Sequence, residues 1–139
     1  MSKQVLSIEQ MQHLKELGVD TSNGSAYWYR IVQNKGDGNA RVISDLKLTL
    51  SLDIAYCTGH TLESVRTFTL QDILDLLPTE IDKENQNYQL EVFRNPQRYF
   101  VSYYWLDNLL ISLNEVEFID AAYEMLCWVI ENGYVDTKK

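Results

Sequence analysis

The residue types that could do chemistry come together at one place in the sequence, the segment Cys57-Thr58-Gly59-His60 with Glu63 shortly after it. A Cys-x-x-His pair supplies two of the four ligands that a structural zinc ion normally needs. The side chains left to complete the set, Cys127 and His13, lie far along the chain on helical stretches. A Cys57 nucleophile with His60 as its base is the enzymatic alternative. The pattern favours an ordinary loop, so we expect no metal site and no catalytic residue.

Two other motifs fail on inspection. Residues 82–87 resemble the start of a calcium loop, but the sixth position is Asn87 and the twelfth is Phe93, where glycine and glutamate are required. Gly36-Asp37-Gly38 precedes a predicted strand and not a helix, so it is not a phosphate-binding loop. We therefore expect no cofactor and no enzymatic activity.

The composition is that of a globular protein with an acidic balance. The chain has 139 residues, of which 45% are hydrophobic, enough for a single domain over 1–139 with its own core. The net charge of −8 lacks the counterion release that drives most nucleic-acid binding, so we expect no direct nucleic-acid partner. No apolar run reaches ~18 residues and no signal peptide is evident, so we expect neither a membrane span nor export. Two cysteines suit a reducing cytoplasm.

Capping residues predict two short helices in the first half of the chain. Ser7 with Gln10 three residues later is a capping box, and Gly18 follows the last turn, which predicts a helix over 8–17. Thr69 is the corresponding cap for a helix over 70–77, which Pro78 ends.

A third helix is predicted over 115–132, with Asn114 as its cap and Gly133 as its stop. Its apolar residues cover about half of the circumference. One interpretation is burial between a sheet and the first helix; the other is that part of this arc meets a second chain. Its acidic residues form a separate row, namely Glu117, Asp120, Glu124 and Glu131.

Four strands are predicted over 27–33, 41–54, 88–93 and 99–105, with loops over 56–67 and 79–87. The strand over 41–54 rests on leucines that alternate with polar residues at positions 46–54. The turns at 35–39 and 94–98 suit hairpins. One antiparallel sheet of about four strands with three helices makes the fold class α+β.

Aromatic residues crowd two of these strands, 27–33 and 99–105, and lie on both faces of each. One interpretation places both strands at the centre of a sheet. The other makes the rings an interface with a second copy or a partner, because tyrosine and tryptophan bury much area and keep a polar group. The candidate interface residues are Tyr27, Trp28, Tyr29, Tyr99, Tyr103, Tyr104, Trp105 and Trp128.

Three segments together are similar to a known group of sequences: 6–22 (LSIEQMQHLKELGVDTS), 68–78 (FTLQDILDLLP) and 128–134 (WVIENGY). They resemble small uncharacterised proteins encoded by bacterial prophages and integrated mobile elements, over about half of the chain. The stretch 34–67 does not match well. The resemblance implies a bacterial cytoplasmic setting and a mobile-element origin, and it carries no activity, cofactor or site residue.

Three hypotheses for function follow. The first is a non-catalytic phage or mobile-element accessory protein that acts through protein–protein contact as a homodimer. The second is an acidic decoy whose carboxylates occupy a nucleic-acid-binding site on a host protein. The third is a small enzyme built around Cys57 and His60.

Overall fold

The described residues form three helices and two antiparallel sheets, which confirms the α+β class. This computed structural model describes residues 3–34, 40–42, 46–50 and 60–135. The helices are α1 (Ile8–Glu16), α2 (Leu70–Leu76) and α3 (Phe118–Glu131), and a 3₁₀ turn covers Thr21–Asn23. The strands of the described ranges are β1 (Ala26–Asn34), β2 (Ala40–Val42), β3 (Lys47–Thr49), β4 (His60–Thr67), β5 (Glu80–Lys83), β6 (Gln86–Arg94), β7 (Tyr99–Trp105) and β8 (Asn108–Glu115).

The strands divide between two sheets, whereas the sequence predicted one. In the first sheet β1 pairs with β4 along one edge and with β2 and β3 along the other. The second sheet is a meander in the order β5-β6-β7-β8. Each aromatic strand, β1 and β7, is therefore an interior strand with a neighbour on both sides, as the first interpretation of these strands expected.

The first two helices begin where their capping residues predict. The Ser7 hydroxyl accepts a hydrogen bond from the Gln10 amide at 3.1 Å, and the Gln10 side chain accepts one from the Ser7 amide at 3.0 Å. Thr69 forms the same reciprocal pair with Asp72 at the start of α2. These local contacts satisfy backbone donors that a helix leaves unpaired, which is why sequence alone located them.

The predicted start of the third helix is wrong. Residue 115 and its predicted cap, Asn114, lie in strand β8, where Asn114 is paired with Phe100 of β7. The helix begins at Phe118 after Glu117, whose side chain makes no capping hydrogen bond. Pairing with β7 therefore outcompeted the local capping preference. The end is as predicted, since Gly133 has a positive φ of 79° and the Tyr134 amide donates to the Val129 carbonyl.

The long predicted strand 41–54 is present as two short pieces on the same edge of β1. β2 pairs Val42 with Val32, and β3 pairs Lys47 with Tyr29. Residues 43–45 and 51–54 of this prediction lie outside the described residues. In the described part, Leu46, Leu48 and Leu50 are exposed and do not belong to the core.

Three strands were not predicted. β4 and β5 occupy stretches predicted as loops, and β8 occupies a stretch given no element before the third helix. The turn between β5 and β6 has positive φ at both Glu84 and Asn85, the geometry of a type I′ hairpin, although it contains no glycine. These segments are strands because they pair with neighbouring strands, and a local sequence pattern contains no information on that pairing.

The core lies between the three helices and one face of the second sheet. Leu14 of α1, Ile73 of α2, Met125 of α3 and Val101 of β7 have no exposed area. The first sheet is tied to this body at one end, where Thr67 donates its hydroxyl proton to the Leu6 carbonyl at 2.7 Å. No helix in the described part of the chain combines the length and apolar character needed to cross a bilayer.

Candidate interaction surface

The cysteine and histidine residues that could do chemistry do not form a site within the described residues. Cys57 lies outside the described residues, and for His60 only the backbone is described, so the enzyme hypothesis stays a prediction. Cys127 is half-buried beside Tyr123, and burial raises the pKa of its thiol, which keeps it protonated at neutral pH. His13 meets Tyr123 edge-on at 6.3 Å between ring centres. Across the described ranges, His, Cys, Asp and Glu side chains form no group of three or more that could hold a metal ion.

Two open surface depressions occur in the described part of the chain. One, of about 460 Å³, lies between the end of α1, the 3₁₀ turn and β4. The other, of about 440 Å³, surrounds the hairpin turn at 82–87. Neither is lined by a histidine or a cysteine.

The acidic row of α3 is partly engaged in contacts within the chain. Lys3 donates its amide to Glu117 at 3.1 Å and its ammonium to Asp120 at 2.7 Å, which ties the first residues to the start of α3. Burial raises the pKa of Glu124, and the neighbouring carboxyl of Glu115 raises it further. The first half of this row therefore contributes to packing as well as to the surface.

The candidate interface residues of β1 already have partners inside the chain. The guanidinium of Arg66 lies over the ring of Tyr27 at 4.8 Å from its centre. The indole of Trp28 donates to the Leu6 carbonyl at 2.9 Å. Tyr29 is half-buried in the same strand. All three keep some exposed area, but Tyr27 contacts Arg66 of β4 and Trp28 ties the sheet to the segment before α1.

Most of the candidate residues of β7 face the core. Tyr103 has no exposed area and donates its hydroxyl proton to the Pro78 carbonyl at 2.7 Å, so it contributes no surface. The ring of Tyr99 stacks on that of Phe118 at 5.2 Å, and Trp105 packs at the margin of the core. Since side chains alternate along a strand, Tyr104 is the one candidate here that points to the opposite face.

Trp128, the remaining candidate, lies on helix α3. It is half-buried, and its ring stacks on Tyr134 at 5.5 Å between centres. This stack closes the end of the helix after Gly133. The eight candidate residues therefore do not form one continuous surface.

The outer face of the second sheet, the side opposite α3, is one of the places where apolar groups remain exposed. On the first sheet, Leu48 and Val65, which flank Trp28 in register, are exposed as well. Cross-strand register places Phe93 beside Phe100 and Tyr104 beside Leu109 on the outer face of the second sheet. The two phenylalanine rings stack at 4.7 Å and 3° between planes. Phe93 is 47% exposed and Leu109 is 50% exposed. The outer face thus has an apolar group at each end.

The middle of the outer face is polar. The Ser102 hydroxyl donates to that of Ser112 at 2.7 Å, and Glu91 is the charged neighbour in the same cross-strand row. No histidine or cysteine lies on this face. Ser102 is fully buried, so the surface that this face offers to another protein is made by its exposed residues, among them Phe93, Glu91 and Leu109.

Sequence reasoning missed Phe93, Phe100 and Leu109 as surface residues. Phe93 and Phe100 were counted among the aromatic residues but not assigned to a face, and Leu109 lies in the unpredicted strand β8. The sequence signal that could have predicted strand β8 is the run Leu109-Leu110-Ile111, which follows a turn-forming Asp107-Asn108 pair.

Comparisons of this chain with protein-family models, with curated proteins and with solved structures give no match. The fold and the outer face are therefore the observations from which a function is inferred.

Proposed function

We propose that this protein is a non-catalytic accessory protein of a bacterial mobile element, that it works in the cytoplasm and that it acts through protein–protein contact as a homodimer. The observation that supports contact is the outer face of the second sheet, above all its β7–β8 half. There Leu109 is half exposed beside Tyr104, on strands held rigidly by the core behind them. Contiguous exposed apolar patches on a folded protein are typical of contact surfaces.

Side chains alternate between the two faces of the second sheet, which explains why the outer face does not belong to the core. Val101 and Tyr103 face the helices and have no exposed area, so the hydrophobic core lies on that side of the sheet. Leu109 is 50% exposed and Tyr104 is half-buried, so both leave apolar area in contact with water. A contact with a second copy removes their apolar area from water.

The mobile-element part of the proposal rests on the sequence resemblance of 6–22, 68–78 and 128–134. These segments contain caps and core residues such as Ser7, Thr69 and Val129, so they support a shared fold. Integrase or phage structural genes beside the coding sequence would support this origin, and a neighbourhood of ordinary metabolic genes would count against it.

Sedimentation velocity over a wide concentration range tests the homodimer. We expect wild type to form dimers in the micromolar range and Leu109→Ser to weaken the dimer about tenfold, the effect of losing roughly 1.4 kcal/mol of contact. Leu76→Ser is the matched control, because Leu76 is an exposed leucine on helix α2 and not on a strand of the sheet. A wild type that stays strictly monomeric at high micromolar concentration overturns the homodimer.

A further inference from the structure

We propose that the depression between α1, the 3₁₀ turn and β4 is a binding site for a small phosphate ester. Its volume is about 460 Å³, which lies in the range of pockets that hold small molecules. Its lining residues belong to α1, to the segment that follows α1 and to β4, and not to the second sheet. The inference therefore does not depend on the proposed homodimer.

Two cationic side chains line this depression, Lys15 from the last turn of α1 and Arg66 from β4. Within the described part of the chain, neither of them forms an ion pair. The sequence has 20 acidic residues against 12 basic ones, so carboxylates that could pair with these cations are plentiful. Two unpaired cations beside one depression are a local excess of positive charge, which an anion would neutralise.

The guanidinium of Arg66 is held in place by contacts within the chain. Its Nη1 donates to the Gly24 carbonyl at 3.0 Å, and its centre lies over the Tyr27 ring at 4.8 Å. A guanidinium that is already oriented loses little conformational freedom when it binds a ligand. Its planar fork of N–H groups matches the oxygens of a phosphate, which is why we assign a phosphate to this site.

Hydroxyl groups and one carboxylate complete the polar part of the lining. Thr21 of the 3₁₀ turn and Ser64 of β4 bring hydroxyls that are able to donate to phosphate oxygens. The acidic residue of the lining is Asp20, and one of its oxygens accepts both the amide of Ser22 at 3.0 Å and its hydroxyl at 2.6 Å. With two cations against this one carboxylate, the lining keeps a positive balance.

The size and the apolar part of the lining favour an ester over free phosphate. Val19 and Val65 also line the depression, and Val65 is 44% exposed. A bare phosphate would leave this apolar area in water. An organic group attached to the phosphate would cover it while the phosphate meets Lys15 and Arg66.

A chemical-shift titration of the isotope-labelled protein, at constant ionic strength, tests the site with phenyl phosphate as the probe. We expect the amides of residues 15, 19–22 and 64–66 to shift and to saturate in the millimolar range. Inorganic phosphate should shift the same amides but bind at least about threefold more weakly, since it leaves the valines uncovered. The absence of saturable shifts at these amides overturns the site, and equal affinity for the two probes overturns the ester.

Lys15→Ala is the variant that tests the cations, because Lys15 is exposed and makes no ion pair whose loss would unfold the protein. We expect it to weaken phenyl phosphate by about fivefold, the scale of one charge contact near the surface. Arg66→Lys keeps the charge but not the fork, and we expect it to weaken binding as well. Unchanged affinity in Lys15→Ala overturns the proposal, whether or not the Arg66 variant folds.

Lys83→Ala is the matched control. Lys83 lines the other depression, which Asp82 and Glu84 also line, so its ammonium has carboxylates around it. The net charge of −8 makes non-specific accumulation of phosphate weak, and we expect Lys83→Ala to change the affinity by less than about twofold. A loss equal to that of Lys15→Ala would mean that phosphate follows the total charge of the chain, and it would overturn the site.

Discussion

The carboxylate of Asp72 accepts hydrogen bonds from both the hydroxyl and the amide of Ser25, at 2.6 and 3.0 Å, across 47 residues of sequence. The same carboxylate caps α2 through the Thr69 amide at 2.9 Å. One side chain thus joins the start of the first sheet to the helix that leads into the second. Desolvation by itself raises the pKa of Asp72, but these hydrogen bonds outweigh it and leave the pKa below its usual value.

Asp72→Asn is expected to lower the free energy of unfolding at neutral pH by about 1–2 kcal/mol, because charged capping bonds are lost. Since the folded-state pKa lies below the unfolded one, the contribution is complete above the unfolded pKa near 3.8 and is lost as the pH falls through the folded pKa. Urea unfolding should therefore show a difference in the free energy of unfolding between wild type and variant at neutral pH. This difference should shrink below about pH 4.

Asp75→Asn is the control for that experiment. Asp75 lies on the same helix and accepts one exposed hydrogen bond from Gln71. It should change stability by no more than about 0.5 kcal/mol. Equal losses in the two variants would contradict the role given to Asp72.

Glu124→Gln is expected to raise stability at neutral pH by a few tenths of a kcal/mol, the scale of exposed charge pairs. Burial and the neighbouring Glu115 raise the folded-state pKa of Glu124. A raised carboxyl pKa means that the folded state is favoured while the group is protonated and loses this advantage as the pH rises through that pKa. The gain from the amide should therefore vanish in acid, which a pH series of unfolding midpoints would show. Glu80→Gln, at an exposed position of strand β5, serves as the comparison, and a matching gain there would refute the assignment.

Gly24→Ala is expected to destabilise the fold by about 1–3 kcal/mol, the range for overpacking a filled site. A Cβ on Gly24 would lie 2.6 Å from the carbonyl oxygen of Thr67, and a backbone atom cannot rotate away. Thermal unfolding of this variant beside Asn23→Ala, at an exposed neighbouring position, measures the effect. A Gly24→Ala protein as stable as wild type would mean that β4 does not approach this turn so closely.

Leu106→Gly is expected to stabilise the protein by about 0.5–1 kcal/mol, because Leu106 has a positive φ of 54° that glycine adopts without strain. The side chain is 79% exposed, so little packing is lost. Leu106→Val should have the opposite sign, since a β-branched residue is strained further at this φ. Denaturant midpoints of the two variants should lie on either side of wild type, and midpoints on the same side would refute the interpretation.

The sequence by itself determined the features that depend on neighbours within a few residues. Ser7 with Gln10 and Thr69 with Asp72 begin their helices through contacts three residues apart, and Gly133 ends α3 through a conformation that few other residues adopt. Strands β6 and β7 were also predictable, because β-branched and aromatic residues flank a proline-containing turn. The α+β class followed from these elements.

Only the tertiary structure decided which strands share a sheet and which face of each is exposed. Asn114 is a good helix cap in isolation, but pairing β8 with β7 placed it in a strand. Tyr103 and Tyr104 are adjacent and chemically the same, yet one is in the core and the other on the outer face. The physical reason is that register and burial depend on contacts between residues far apart in sequence, whose free energy no local pattern contains.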